Sequence, residues 1–148
     1  MALVVQKYGG TSVGNLDKIA RVAKKVIRTK EEGNDVVVVL SAMSGETDRL
    51  IQLAQKAADE PDPREYDSLI STGEQVTVTL LAIMLNGMGC PAKSFLGFQV
   101  PVRTDQAFNK ARILDVDTEA IRAELKKGTI VVVAGFQGID PENNITTL

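Results

Sequence analysis

A glycine-rich stretch near the start of the chain, residues 7–14, constrains the fold more than any other part of the sequence. It follows a short apolar run at residues 3–6 and precedes an amphipathic helix predicted over residues 15–30. A strand, a glycine-rich turn and a helix in this order can hold a phosphate, because glycine lets the backbone approach the ligand and the helix start offers free N–H groups. The spacing leaves a tight turn without a ligand as the alternative.

The glycine spacing is related to that of a Walker A loop but departs from it. Gly9 and Gly14 match the spacing, whereas Asn15 and Leu16 stand where that motif has Lys followed by Ser or Thr. The nearest lysine, Lys7, lies on the other side of the glycines at the end of the predicted strand. From there it can reach the same phosphates, so a phosphate site without a Walker A loop is predicted.

Two apolar runs predict the layers of the fold. Residues 36–40 and 130–134 are apolar on both faces, which is typical of parallel strands covered by helices on either side. Asn15 is a suitable N-cap for the first helix, whose polar face is basic; we expect that face to be solvated, with anion binding as the alternative. The prediction is an α/β fold with three layers (αβα) and a mostly parallel open sheet.

The remaining elements follow from the same periodicity. Helices are predicted over residues 47–59, 64–69, 71–88 and 118–127, and strands over residues 93–96, 100–103, 112–116 and 145–148. The helix at 71–88 is apolar nearly all round, so we expect it to be buried or covered by another subunit. The chain stops on a β-prone run, and we therefore expect a piece of a longer protein whose sheet is incomplete at the C-terminus.

Composition excludes several classes of function. A net charge of −2 argues against a broad basic surface for nucleic acid. No apolar run reaches the roughly 18 residues of a membrane helix, and the single cysteine, Cys90, fits a cytoplasmic protein. Histidine is absent, so a catalytic triad and a His-ligated metal are excluded. Chemistry would depend on lysine, carboxylates, hydroxyls, backbone N–H groups and a loosely held ion such as Mg²⁺.

Four segments taken together carry a family resemblance. They are residues 7–14 (Lys-Tyr-Gly-Gly-Thr-Ser-Val-Gly), 38–49 (Val-Val-Leu-Ser-Ala-Met-Ser-Gly-Glu-Thr-Asp-Arg), 71–77 (Ser-Thr-Gly-Glu-Gln-Val-Thr), and 131–138 (Val-Val-Val-Ala-Gly-Phe-Gln-Gly) continuing into 145–148. In this order and spacing the whole chain resembles the N-terminal part of the catalytic domain of the aspartate kinases, in the amino-acid kinase superfamily.

The resemblance implies a reaction and a division of the domain. Aspartate kinases transfer the γ-phosphoryl group of MgATP to the side-chain carboxylate of L-aspartate, at the start of lysine, threonine and methionine biosynthesis. It implies that residues 1–148 form the part that faces aspartate and the ATP phosphates. The segment Gly-Arg-Gly-Gly-Ser-Asp, the adenine site and the regulatory ACT domains would lie beyond residue 148. We expect the 148 residues alone to be inactive and the full-length protein to be a homo-oligomer.

The resemblance also implies roles for particular residues. Lys7 would be catalytic and would bind the ATP phosphates with Tyr8, Gly9, Gly10 and Ser41. The aspartate site would be Ser41, Thr47 and Glu74, with Glu74 on the amino group; no metal is held by the protein itself.

Structural roles remain open for the same residues. Lys7 could be an exposed lysine at a strand end, and the Ser41 hydroxyl could bond its own backbone. Thr47 could be the N-cap of the second helix, and Ser71 with Glu74 forms the pattern of a capping box. The alternatives in function are another amino-acid kinase and a non-catalytic fragment that assembles with a partner chain.

Overall fold

A computed structural model describes residues 2–148. The elements in chain order are β1 Leu3–Tyr8, a 3₁₀ turn Gly10–Val13, α1 Leu16–Glu31, β2 Asp35–Leu40, α2 Glu46–Ala57, α3 Pro63–Ile70, α4 Thr72–Gly87, β3 Ala92–Phe95, β4 Val102–Thr104, β5 Ile113–Val116, α5 Glu119–Lys126, β6 Ile130–Ala134, β7 Gln137–Ile139 and β8 Ile145–Thr147.

One four-stranded sheet is parallel and has the order β1-β2-β6-β3. Alternate residues of its central strands pack on opposite faces, because successive strand side chains point to opposite sides. Val38 and Val132 join the α1 and α4 side chains in one core, whereas Val37 and Val131 join Leu125 of α5 in the other. Helices therefore cover both faces, and the predicted three-layer α/β fold is confirmed.

A second four-stranded sheet, with shorter strands, has the order β5-β4-β7-β8 and contains antiparallel pairs. Strand β7 is not predicted by the sequence pattern, whereas the strands predicted near 100–103, 112–116 and 145–148 are present and belong to this sheet. Buried polar groups hold this sheet: the Asp67 carboxylate accepts hydrogen bonds from the Thr147 backbone N–H at 2.8 Å, the Thr147 hydroxyl at 2.9 Å and the Asn109 N–H at 3.0 Å. These hydrogen bonds connect strand β8 and the loop that contains Asn109 to helix α3.

The long helix α4 is only partly as predicted. Val78, Leu81 and Leu85 are buried, but Val76 is 48% and Ile83 66% exposed, so burial all round is wrong for this chain. The helical stretch Pro63–Gly87 is long and apolar enough to span a membrane, yet half of its most apolar window is buried inside the fold. A core helix of a globular protein passes the same test, so the stretch is weak evidence for a membrane.

Candidate functional site

The carboxyl ends of β1 and β2, the loop after β6 and the start of α4 surround one cleft of about 290 Å³. Ligands of open α/β sheets bind at this edge, because the loops that leave the strands there diverge and leave a crevice. The cleft is lined by Gly10, Ser41, Ala42, Met43, Ser44, Gly45, Thr47, Asp48, Glu74 and Phe136. It thus brings together Gly10, Ser41, Thr47 and Glu74 from the residues named by the sequence.

Glu74 is the most unusual group in the cleft wall. Glu74 is only 2% exposed, and its Oε1 accepts a hydrogen bond from the Ala42 backbone N–H at 3.2 Å. Its Oε2 is buried without a hydrogen-bond partner among the described residues. Burial raises the pKa of this carboxyl to about 7, against the opposing effect of hydrogen bonds from backbone N–H groups. A buried carboxylate with one oxygen unpaired, in the wall of a cleft, is suited to a cationic donor.

The close approach of α4 to the loop after β2 places Glu74 there. A Cβ on Gly73 would lie 2.8 Å from the Ala42 Cβ, so only glycine fits without displacing a neighbour. The capping-box interpretation is wrong, because Glu74 Oε1 binds Ala42 and the Ser71 hydroxyl donates to the Ser68 carbonyl at 3.1 Å. Ser71 has helical φ and ψ between α3 and α4, a geometry in which a capping box does not form.

Ser41 and Thr47 also contribute to the cleft. Helix α2 begins after Gly45, which has a left-handed φ of 82° and makes no side-chain cap. Thr47 therefore lies inside the first turn, and its interpretation as the N-cap is wrong. Within residues 2–148, neither the Ser41 nor the Thr47 hydroxyl makes a side-chain hydrogen bond to protein, which leaves both free for a ligand.

The two adjacent glycines of the loop have different roles. A Cβ on Gly10 would lie 2.9 Å from the Ala42 carbonyl oxygen, and the Gly10 carbonyl accepts a hydrogen bond from the Ser44 N–H at 3.1 Å. Gly10 is thus required for packing the two loops together, whereas a Cβ on Gly9 would meet no atom within 4 Å. The loop then forms a 3₁₀ turn before α1, rather than leading directly into that helix. Asn15 caps α1 as predicted, because its Oδ1 accepts a hydrogen bond from the Lys18 N–H at 2.9 Å.

Lys7 and Tyr8 lie on opposite faces of the parallel sheet, as neighbours in a strand do. Lys7 is exposed and pairs in register with Val39, just before the cleft-lining Ser41, but does not itself line the cleft. Tyr8 packs against the core under α1 and donates its hydroxyl to Gln6 Oε1 at 3.1 Å. The structure therefore does not bring the side chains of Lys7 and Tyr8 together, and Gly9 also lies outside the cleft lining.

Sequence reasoning assigned no role to several residues that line the cleft. Met43, Ser44 and Asp48 belong to the segment 38–49 that carried the resemblance, and Phe136 belongs to a loop leaving a buried strand. Phe136 has a φ of 68°, which is rare for an aromatic residue and is not visible in the sequence. For metal binding, the described part of the chain contains no cluster of three or more Cys, Asp or Glu side chains.

Comparisons with known proteins agree with this fold and indicate the family. Residues 2–147 match the profile of the Amino acid kinase family. The aspartate kinase of Pseudomonas putida is 59% identical over 148 residues, which cover 100% of this chain and 36% of that relative. The aspartate kinase structure from Synechocystis has a TM-score of 0.80 at 44% identity, over 99% of this chain and 24% of that one. Escherichia coli aspartokinase III in complex with aspartate and ADP has a TM-score of 0.87 over 100% of this chain and 43% of that one, and at 24% identity it shows the fold alone.

The protein is a three-layer α/β protein with a cleft at the carboxyl edge of its parallel sheet. The family match covers nearly the whole chain, and the chain belongs to the amino acid kinase family. It spans 36% of the length of the curated relatives it matches.

Proposed function

We propose that the protein phosphorylates the side-chain carboxylate of L-aspartate with ATP, giving 4-phospho-L-aspartate. Several relatives that match the whole chain are named aspartate kinases or aspartokinases, and one neighbour in fold was solved with aspartate and ADP. The product would enter lysine, threonine and methionine biosynthesis in the cytoplasm.

The observation that carries the proposal is the unpaired Oε2 of Glu74. An α-ammonium group placed against it would supply the missing hydrogen bond and a compensating charge. Ser41 and Thr47, whose hydroxyls line the same cleft, would orient the rest of the amino acid. A neutral ligand would leave the buried carboxylate without charge compensation, which is unfavourable.

The chemistry fits a chain without histidine. The aspartate side chain, with an ordinary pKa of about 3.9, is ionised at neutral pH and needs no general base. One of its oxygens forms a bond to the γ-phosphorus while the bond from that phosphorus to the bridging oxygen breaks, and ADP leaves with the electron pair. Lys7 and the backbone of Gly9 and Gly10 would neutralise the phosphates, and Mg²⁺ would arrive with ATP, since the described residues offer no acidic cluster for it.

The experiment is an acyl-hydroxamate assay on the full-length protein with MgATP and L-aspartate. Aspartyl hydroxamate should form, and the deaminated analogue succinate should be a poor substrate because it lacks the ammonium group. Glutamate is the second arm, since turnover of glutamate in preference to aspartate would indicate another amino-acid kinase. Turnover of neither amino acid would contradict the proposal and favour the non-catalytic alternative.

We also propose that the full-length protein is a homo-oligomer. Val76 and Ile83 are two turns apart on α4 and remain exposed on one side of that helix. A second subunit would cover these side chains, and sedimentation of the wild type against Ile83→Lys tests this.

A further inference from the structure

We propose that a basic cleft beside helix α1 is a binding site for a small phosphate-bearing anion, separate from the cleft that contains Glu74. The basic cleft has a volume of about 200 Å³ and is lined by the polar residues Tyr8, Thr11, Ser12, Lys18, Arg21 and Lys25 and by one aliphatic residue, Val22. It has no lining residue in common with the Glu74 cleft. The proposal does not depend on the proposed function.

The charges of the basic cleft have one sign. Lys18, Arg21 and Lys25 follow one another at spacings of three and four residues, which places them on one face of α1. No Asp or Glu lines the basic cleft, and none of the three cations forms a salt bridge within residues 2–148. Asp17 is the nearest carboxylate along the helix, but it does not line the cleft. Three adjacent cations without a carboxylate create a strongly positive concave surface.

Several of these groups are already positioned. The Lys18 ammonium donates a hydrogen bond to the Thr11 carbonyl at 3.1 Å, which holds its charge at the mouth of the 3₁₀ turn. The Tyr8 ring is held by its hydroxyl bond to Gln6 and forms one wall. The hydroxyls of Thr11 and Ser12 add neutral donors. A site that is organised before the ligand arrives loses less conformational entropy on binding.

The donor set favours a phosphate over a carboxylate. The Arg21 guanidinium can bind two oxygens of one group, and the lysines and hydroxyls can reach further oxygens from other directions. A carboxylate has two oxygens and a single charge, so it would leave cations of the cleft uncompensated. Inorganic phosphates and the phosphate tail of a nucleotide share the chemistry that the cleft would recognise.

The test is a titration of the protein with inorganic pyrophosphate, followed by calorimetry and by the Arg21 Nε–H resonance. The double variant Arg21→Gln/Lys25→Gln removes two cations from the cleft. Its matched control is Lys24→Gln/Arg28→Gln, on the same helix with the same change in charge but outside the cleft lining. We expect the cleft variant to raise the dissociation constant at least ~10-fold and the control to change it less than ~2-fold.

Each outcome decides the proposal. Equal loss of pyrophosphate affinity in both variants would mean diffuse attraction by α1. An unmoved Arg21 resonance at saturating pyrophosphate would mean that the cleft is not the site. Either result overturns the proposal. A parallel titration with ADP identifies the source of the anion. Loss of ADP affinity in the cleft variant supports a nucleotide phosphate, and loss of pyrophosphate affinity alone supports an inorganic anion. Thermal melts establish that both variants are folded.

Discussion

Lys7 and Glu74 are charged residues with assigned roles in the proposed site, and their environments are opposite. Lys7 is the last residue but one of the edge strand β1 and is exposed. Glu74 is buried on α4, and one of its oxygens accepts a hydrogen bond from the Ala42 backbone. The environment of Lys7 follows from a few neighbouring residues, since strand and glycine turn determine it locally. That of Glu74 depends on α4 packing against a loop about thirty residues away in sequence. Two residues assigned to the same site can therefore differ in how far their environments depend on long-range packing.

The largest expected effect tests the exposed side of the comparison. Lys7→Ala in the full-length protein should lower kcat for aspartyl phosphate formation by about 10²–10³, because a charge aimed at the transferring group acts mainly in the transition state. KM for aspartate should change little. Lys56→Ala, on the exposed surface of α2, is the control. A kcat equal to that of the wild type would leave Lys7 with a structural role only.

The buried side can be tested through the pH dependence of stability. The pKa of Glu74 is raised to about 7 in the folded state, above its value in the unfolded chain. The folded state therefore binds the proton more tightly, and the free energy of unfolding of the unliganded protein should fall as pH rises from about 4.5 to about 7, by at most about 3 kcal/mol.

Glu74→Gln should remove this penalty and make the variant more stable than the wild type at pH 8 but not at pH 4.5. A glutamate in a capping box would behave differently, because replacement by glutamine would leave stability nearly unchanged at any pH. Urea denaturation of both proteins at the two pH values gives the difference. If the free energies of unfolding of the wild type and the variant differ by the same amount at both pH values, the assignment of the raised pKa to Glu74 is contradicted.

The kinetics of the same variant test the amino-group site. Glu74→Gln should lower kcat/KM for aspartate. The corresponding loss of transition-state stabilisation should be about 2–3 kcal/mol, the scale of a lost charge-assisted hydrogen bond, and KM for ATP should be little affected. In the wild type, kcat/KM for aspartate should decline below about pH 7, because the protonated carboxyl no longer attracts the ammonium group. This limb should be absent in the variant. If it persists, another group is responsible for it.

Two glycines provide a matched pair on the two sides of the site. Gly73→Ala should destabilise the fold by about 1–3 kcal/mol and weaken aspartate use, since its Cβ would lie 2.8 Å from that of Ala42. Gly9→Ala meets open space and has a φ of −79°, so it should leave stability within about 0.5 kcal/mol. KM for ATP should rise in Gly9→Ala if phosphates approach the loop there. Equal thermal shifts in the two variants would contradict the packing difference.

The smallest effect concerns the helix cap. Ser71→Ala should change stability by less than about 0.5 kcal/mol, because its hydroxyl caps no N–H group. Asn15→Ala, which removes a real cap, should cost about 1 kcal/mol in the same thermal melts. A larger loss for Ser71 than for Asn15 would restore a capping role for Ser71.

The parallel sheet and the helices on its two faces could be predicted from local sequence patterns alone. The runs at 36–40 and 130–134 have no polar face, so they could only be strands buried between helices, and the α1 pattern has a single apolar stripe. The same local rules placed Asn15 as a cap and identified the glycine turn that carries Gly10. The segments with Ser41, Thr47 and Glu74 were indicated by the family resemblance instead. Each of the locally predicted features depends on residues within one or two turns or along one strand.

The second sheet and the burial of Glu74 could not be predicted locally, because both depend on contacts between distant segments. Strand β7 is three residues long, which is too short for a periodic signal. Its neighbour β8 is connected to α3 by the buried Asp67, which accepts hydrogen bonds from Thr147. The roles of Ser71 and Glu74 likewise followed from where α4 lies, because the carboxylate had a backbone N–H of another segment within reach. Local patterns state which contacts a residue can make, whereas long-range packing selects the contact that it does make.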